Sequence, residues 1–325
     1  MTPRRFGATG RSVHPVGLGC MGLSWAYHAD PVPDAEGIAL IRRAIDLGVD
    51  HLDTSDAYGP HTNEVLVGRA LAGRRDRVVL ATKVGLTRGD AAGGGGGGTK
   101  YKYGRNGKPE YVRSACDASL SRLNVDVIDL YYLHRVDPDT PLEETWGAMA
   151  GLVEAGKVRW LGISEPKVPQ LDLVHRIHPV TAVQSELSLW TRDYVGDVVP
   201  WCAGNGASFV AFSPLGRGFL TGAIEANREF GPEDFRSTLP RFTREAVAQN
   251  QRIVEAVKAV AERRRATPAQ IAIAWVLARG EHVVAIPGTR REKYLEQNVA
   301  AAEIVLTPKE LAELDAVPAP VGARY

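Results

Sequence analysis

A short β-branched run followed by a longer amphipathic stretch recurs along the whole chain, and this alternation limits what it can fold into. The runs Val16–Leu18, His51–Asp53, Val78–Thr82, Ile128–Leu133, Val158–Ile163, Ala182–Gln184, Phe209–Phe212 and Val283–Ile286 are each bounded by polar or turn residues. They read as buried parallel strands. Between them lie helical patterns. Ala35–Leu47 follows Asp34 as a capping residue, Tyr111–Leu123 follows Pro109, Leu142–Glu154 stops at Gly156, and Pro268–Ala278 starts on Thr267 as N-cap. Eight such units without a break in composition predict one α/β domain over residues 1–325, a closed (β/α)8 TIM barrel, rather than an open doubly wound sheet. Length alone would have allowed two domains, since 325 residues exceed the roughly 250 of a minimal barrel. A β-hairpin is expected before the barrel, from Arg4–Phe6 and Ser12–His14 around the glycine-rich turn Gly7-Ala8-Thr9-Gly10.

Composition narrows the class of partner. The chain is 44% hydrophobic and 24% charged with a formal net charge of +1, too balanced for a nucleic-acid wrapper or a disordered tail. Cys20, Cys116 and Cys202 are odd in number and far apart, which does not make a disulfide framework. No apolar run is long enough for a bilayer and the start has no signal-peptide pattern, so a cytoplasmic protein is expected, with neither nucleic acid nor membrane as a partner. No metal is expected either. The run Gly93–Gly98 marks an exposed, mobile loop between Leu86 and Lys108.

Gly17-Leu18-Gly19-Cys20-Met21-Gly22 has the glycine spacing of a dinucleotide fingerprint. A helix should follow such a fingerprint directly, but Pro31, Pro33 and a polar loop intervene before residue 35. The glycines therefore have no helix N-terminus to aim at a phosphate, and a Rossmann fold is set aside.

In a barrel, polar residues at the carboxyl ends of the strands converge on one mouth. Asp53, Lys83 and His134 stand at the ends of three successive strand runs, and Tyr58 lies five residues past Asp53. Each alone is unremarkable: a turn cap, a solvated charge, a rim histidine. Together they suit proton delivery to an oxygen. A phenol with a pKa near 10 is a weak acid, a neighbouring ammonium favours its phenolate, and an aspartate fixes the lysine. The histidine would orient a carbonyl. The set holds no nucleophile, so the charge that develops on that oxygen must come from a hydride donor. A Schiff-base role for Lys83 is the rival chemistry, and the expected Asp53 neighbour, which keeps the amine charged, argues against it.

The segments that carry these residues resemble an aldo-keto reductase along nearly the full length. They are Gly17–Gly22, Leu52-Asp53-Thr54-Ser55-Asp56-Ala57-Tyr58-Gly59, Thr82-Lys83, Leu130–His134, Gly156-Lys157-Val158-Arg159, Phe212-Ser213-Pro214-Leu215-Gly216 and Ile286-Pro287-Gly288-Thr289. The resemblance implies NADPH-dependent reduction of an aldehyde or ketone, with Tyr58, Asp53, Lys83 and His134 as the catalytic tetrad. It also implies cofactor contacts. Ser164 and Gln184 would hold the nicotinamide carboxamide and Phe212 would stack on the ring. Ser213, Leu215, Gly216, Arg217 and Gly218 would line the pyrophosphate. Gly288, Thr289, Arg290, Tyr294, Gln297 and Asn298 would form the adenosine end, with Arg290 on the 2′-phosphate. Two positions depart from the family pattern: residue 165 is Glu where relatives usually carry Asn, and Tyr294 stands where many carry arginine. Trp25, Tyr27, His28, Trp190, Arg192 and Phe219 are expected as substrate-pocket walls. Some relatives act as channel-associated subunits, so the alternative is a cofactor-binding regulatory subunit with little turnover.

Overall fold

The computed structural model describes residues 2–27, 30–88, 103–225 and 227–325. His28 and Gly93–Gly98 lie outside the described residues. A short antiparallel hairpin, β1 (Arg4–Arg5) with β2 (Ser12–Val13), opens the chain. Eight parallel strands then form one sheet in the spatial order β3, β4, β5, β8, β9, β10, β11, β12. These are β3 (Leu18–Gly19), β4 (His51–Asp53), β5 (Val79–Val84), β8 (Ile128–Leu133), β9 (Val158–Ser164), β10 (Val180–Glu186), β11 (Ser208–Phe212) and β12 (Val283–Ile286). The two remaining strands, β6 (Leu86–Arg88) and β7 (Tyr103–Arg105), pair antiparallel with each other. Helices α1 (Asp34–Asp46), α2 (Thr62–Leu71), α3 (Pro109–Leu123), α4 (Leu142–Glu154), α5 (Val168–Ile177), α6 (Val198–Gly204), α7 (Arg244–Arg264), α8 (Pro268–Leu277), α9 (Glu292–Ala300) and α10 (Pro308–Asp315) occupy the connections and the end of the chain. Among the described residues, no helix is long and apolar enough to cross a membrane.

The glycines of the rejected fingerprint close the barrel. Gly17 N–H donates to the Ala285 carbonyl at 2.8 Å, and Ala285 N–H donates to the Pro15 carbonyl at 2.9 Å, joining the first strand to the last. At this seam a Cβ on Gly19 would lie 2.7 Å from the Ile286 carbonyl oxygen, and on the other side one on Gly17 would lie 2.8 Å from the carbonyl oxygen of His51 in β4. Glycine is needed for close backbone approach, and no phosphate enters the explanation.

Strand residues alternate between two apolar cores. One set, including Leu130, Tyr132, Ala182, Val210 and Val284, fills the barrel interior, where Phe6 from the hairpin joins it. The other, including Tyr131 and Leu133, packs under the helices. Arg4 secures the hairpin by donating to the carbonyls of Leu277 (2.9 Å), Gly280 (2.8 Å) and Val283, from the end of α8 to the start of β12. The hairpin thus covers the amino ends of the strands and leaves the carboxyl ends open for a site.

Two local readings are corrected. Asp34 is the first residue of α1, with Pro33 at the N-cap position; the aspartate acts on the helix dipole from inside the first turn. The segment after β5 is not loop throughout, because Leu86 pairs with Arg105 and Arg88 with Tyr103. Its polar, glycine-rich composition hid both short strands. By contrast, Thr267 caps α8 as expected, accepting from Gln270 N–H and completing a capping box.

The seam yields a stability prediction. Gly19→Ala places a methyl against backbone that cannot move aside, which costs about 1–3 kcal/mol. Chemical denaturation should show that loss, whereas Gly22→Ala, where a Cβ meets nothing within 4 Å, should leave stability nearly unchanged.

Candidate active site

The polar residues at the carboxyl ends meet inside the mouth. Asp53 ends β4, Lys83 lies near the end of β5, His134 directly follows β8, and the loop after β4 brings Tyr58 over them. Lys83 is fully buried, and its three ammonium protons have three acceptors. Nζ lies 2.5 Å from Asp53 Oδ1, 2.8 Å from the Thr54 carbonyl and 3.3 Å from the Tyr58 hydroxyl. The second carboxylate oxygen of Asp53 accepts from Gln184 Nε2 at 2.7 Å, which reaches in from β10 on the far side of the barrel. His134 stands edge-on to the Tyr58 ring, with centroids 5.9 Å apart. The four expected tetrad residues therefore occupy one cluster.

Burial sets the protonation states. It opposes the charge on Lys83, but Asp53 and Tyr58 outweigh it and hold the ammonium above its ordinary value. His134 is driven well below the imidazole range by burial, with the charges of Arg135 and Lys83 adding to the effect, so it is neutral. Tyr58 departs from expectation. Burial raises its pKa above the ordinary value although Lys83 pulls the other way. The ammonium is shared with Asp53, which cancels much of its effect on the phenol. Tyr58 therefore stands as a protonated phenol beside a permanent cation.

The residues expected around a cofactor fall into three groups. Ser164 ends β9 and Gln184 lies two residues before the end of β10; both are buried, and Gln184 reaches the tetrad through Asp53. Ser164 Oγ accepts from Arg135 at 3.0 Å. Phe212 ends β11 and is partly exposed; Ser213, Leu215, Gly216 and Gly218 follow it, with left-handed backbone at Ser213, Gly216 and Gly218. Gly288, Thr289 and Arg290 lead into α9, which carries Tyr294, Gln297 and Asn298. The acids of this helix, Glu292 and Glu296, are both drawn to Arg43. Among the described residues, no carboxylate pairs with Arg290, Arg291 or Lys293, so the start of α9 presents a basic face.

Arg217 does not present a free cation there. Its guanidinium is buried and donates to both carboxylate oxygens of Glu186, at 3.1 and 2.8 Å. The interior carboxylate of β10 demands a fork-shaped partner, and Arg217 supplies it. Arg324, from the last segment of the chain, binds the same Glu186 at 2.7 Å and Glu165 at 2.5 Å, 5.8 Å from the Phe212 ring centroid. Glu165 also accepts from Glu186 N–H at 2.9 Å. Its carboxylate is therefore committed to protein partners where relatives usually have an amide. Sequence reasoning missed this four-residue cluster, because Arg324 lies in a tail without periodicity and Glu186 ends β10 two residues past the run read as a strand.

The pocket residues divide. Trp25 stacks on Tyr58 (centroids 6.3 Å apart) and meets Tyr103 of β7 and Phe235, two aromatics the sequence reading did not single out. Tyr27 lies under the Arg236 guanidinium, 5.1 Å from its ring centroid. Trp190 and Phe219 have no exposed surface. They stack on each other at 4.4 Å within a cluster that includes Phe242, so their place is the core and neither is a wall of the mouth. Large apolar side chains in loops are as readily buried as presented, and the sequence carries no signal that separates the two.

Residues 15–319 match the model of the aldo/keto reductase family. The chain belongs to that family. Among solved structures it is similar to a glycerol dehydrogenase from Gluconobacter oxydans, at 29% identity and a TM-score of 0.87, covering 99% of this chain and 98% of that one. It is also similar to an aldo/keto reductase from Klebsiella pneumoniae in complex with NADP and acetate, at 28% identity and a TM-score of 0.72, covering 100% and 98%. A structure of an aldo-keto reductase from Klebsiella pneumoniae in complex with NADPH matches at 29% identity and a TM-score of 0.73, over 97% and 95%. Within this family the (β/α)8 barrel and its hairpin are the frame that carries the cluster described above.

Removing one member of a buried ion pair strands the other. Arg217→Ala should destabilise this aldo/keto reductase by about 3 kcal/mol, with Arg324 still compensating part of the Glu186 charge. An unchanged denaturation midpoint would mean that Glu186 does not depend on Arg217.

Proposed function

We propose that the protein reduces an aldehyde or ketone to the alcohol with NADPH, and that Tyr58 is the general acid. The observation that carries this reading is the fully buried Lys83 ammonium, fixed between Asp53 and the Tyr58 hydroxyl at the mouth. Bound NADPH supplies the hydride. The chain's own residues manage the oxygen that receives it. Tyr58 gives its proton as negative charge develops on that oxygen, and the adjacent ammonium stabilises the phenolate left behind. Asp53 keeps Lys83 charged and aimed. His134, neutral, orients the carbonyl. Trp25 and Tyr27 flank the approach and exclude water.

The donor set suits the cofactor. A dianionic phosphate favours cations at a helix start, and Arg290, Arg291 and Lys293 stand there unpaired by carboxylates among the described residues. Thr289 and Arg290 would hold the 2′-phosphate, with Gln297 and Asn298 at adenine and Gly288 and Tyr294 beside them. Ser213, Leu215, Gly216 and Gly218 would line the pyrophosphate, Phe212 would meet the nicotinamide ring, and Ser164 and Gln184 its carboxamide. The charged state of Lys83 argues against a Schiff base, since an amine must be neutral to attack a carbonyl.

Tyr58→Phe should leave NADPH binding, followed by quenching of tryptophan fluorescence, within about twofold while lowering carbonyl reduction by about 10²–10⁴-fold. Full activity in that variant would remove Tyr58 as the acid. Arg290→Ala should weaken NADPH binding by about ten- to a hundredfold, the worth of one charge-assisted hydrogen bond, and leave NADH binding unchanged. Equal losses for both cofactors would refute the phosphate contact.

A further inference from the structure

Ser55 and Asp56 lie behind His134 and are not used by the mechanism above. Both are buried. Ser55 Oγ lies 3.1 Å from Asp56 Oδ1 and 3.2 Å from His134 Nδ1, and it accepts from Ala57 N–H at 3.1 Å. A hydroxyl has one hydrogen and two acceptor sites. Ala57 takes one acceptor site. The single hydrogen can serve Asp56 or His134 but not both, and whichever is not served must bring a hydrogen of its own.

We propose that Ser55 and Asp56 form a relay that sets which nitrogen of His134 carries hydrogen, and so whether its Nε2 donates to the substrate oxygen. The relay rests on the reading of His134 as the group that orients the carbonyl. With Asp56 ionised, Ser55 donates to the carboxylate, His134 Nδ1–H donates to Ser55, and Nε2 is left bare. With Asp56 protonated, the carboxyl donates to Ser55, Ser55 donates to Nδ1, and the neutral ring carries its hydrogen on Nε2. Only the second arrangement offers a donor to a carbonyl; the first points a lone pair at it. Ser55 and Asp56 are positioning residues, since they act through His134.

The surroundings of Asp56 hold the two arrangements close in energy. Glu64 faces it from α2, Arg122 and Tyr111 from α3, and Tyr131 from β8. Glu64 is itself bound by Thr82 at 2.6 Å and by Arg122 at 2.6 Å, and among the described residues no cation forms a salt bridge with Asp56. Burial, with Glu64 adding to it, pushes the Asp56 carboxyl up to about 7, against the pull of Ser55 and Arg122. The sign follows. The Nε2–H form is present below that value and is lost as pH rises through it. Reduction should therefore fall by about tenfold per pH unit on the alkaline side.

Long-range 15N–1H correlation spectra of the full-length protein test this without turnover, with His134→Gln identifying the resonance. Between about pH 5.5 and about pH 8.5, the His134 hydrogen should move from Nε2 to Nδ1 in the wild-type protein. In Asp56→Asn, whose side chain cannot titrate, the move should be absent and the alkaline limb of kcat should disappear. In Ser55→Ala the move should also vanish, with NADPH affinity unchanged. A single tautomer throughout the range in the wild type, or a swap that persists in Asp56→Asn, would overturn the relay. A swap in a protein that reduces no carbonyl would uphold the relay and overturn the proposed function instead.

Discussion

The site depends on one ion pair. Lys83 and Asp53 meet at 2.5 Å with almost no exposed surface on either side chain. A buried pair of this kind is poor evidence for stability, since desolvation of both charges consumes most of the Coulombic gain. Its value here is positional. Asp53 uses one oxygen for Lys83 and the other for Gln184, so β4, β5 and β10 are tied together across the barrel. Lys83 spends its remaining protons on the Thr54 carbonyl and Tyr58, which fixes the loop that carries the phenol. Asp53, Tyr58 and Gln184 are thereby located with reference to a charge that cannot leave.

Burial of the cluster also accounts for the unusual protonation states of its groups. Burial holds Tyr58 protonated and His134 neutral, so two potential hydrogen-bond donors stand beside a permanent cation. A developing oxyanion is the charge missing from such a site. A second buried network, Glu186 and Glu165 with Arg217 and Arg324, lies beside Phe212. It holds the carboxyl ends of β9 and β10 with charges balanced two against two, and it removes Arg217 from the surface.

The barrel was legible because its signal is periodic. Strand runs such as His51–Asp53, Ile128–Leu133 and Val283–Ile286 coincide with the observed strands residue for residue, since each is buried on both faces and bounded by turns. The meeting of Asp53, Lys83 and His134, with Tyr58 on the loop between, was legible because strand ends converge by topology, whatever their chemistry. Contacts that depend on side-chain direction were not. Trp190 and Phe219 resembled pocket walls in sequence and are stacked in the core. Arg217 resembled a phosphate ligand and is paired with Glu186, whose charge lies in a strand 31 residues away. The direction of the Tyr58 shift also escaped, because spacing reveals a neighbouring lysine but not the depth of burial that outweighs it. Strands β6 and β7 are too short and polar to register as a period.

The most direct measurement is steady-state oxidation of NADPH by the wild-type protein, followed by absorbance across a panel of aldehydes and ketones, with NADH run in parallel. Carbonyl-dependent loss of NADPH is expected, stoichiometric with alcohol formed and much slower with NADH. Tight NADPH binding with no carbonyl in the panel accelerating its oxidation would contradict it and would describe a binding subunit instead.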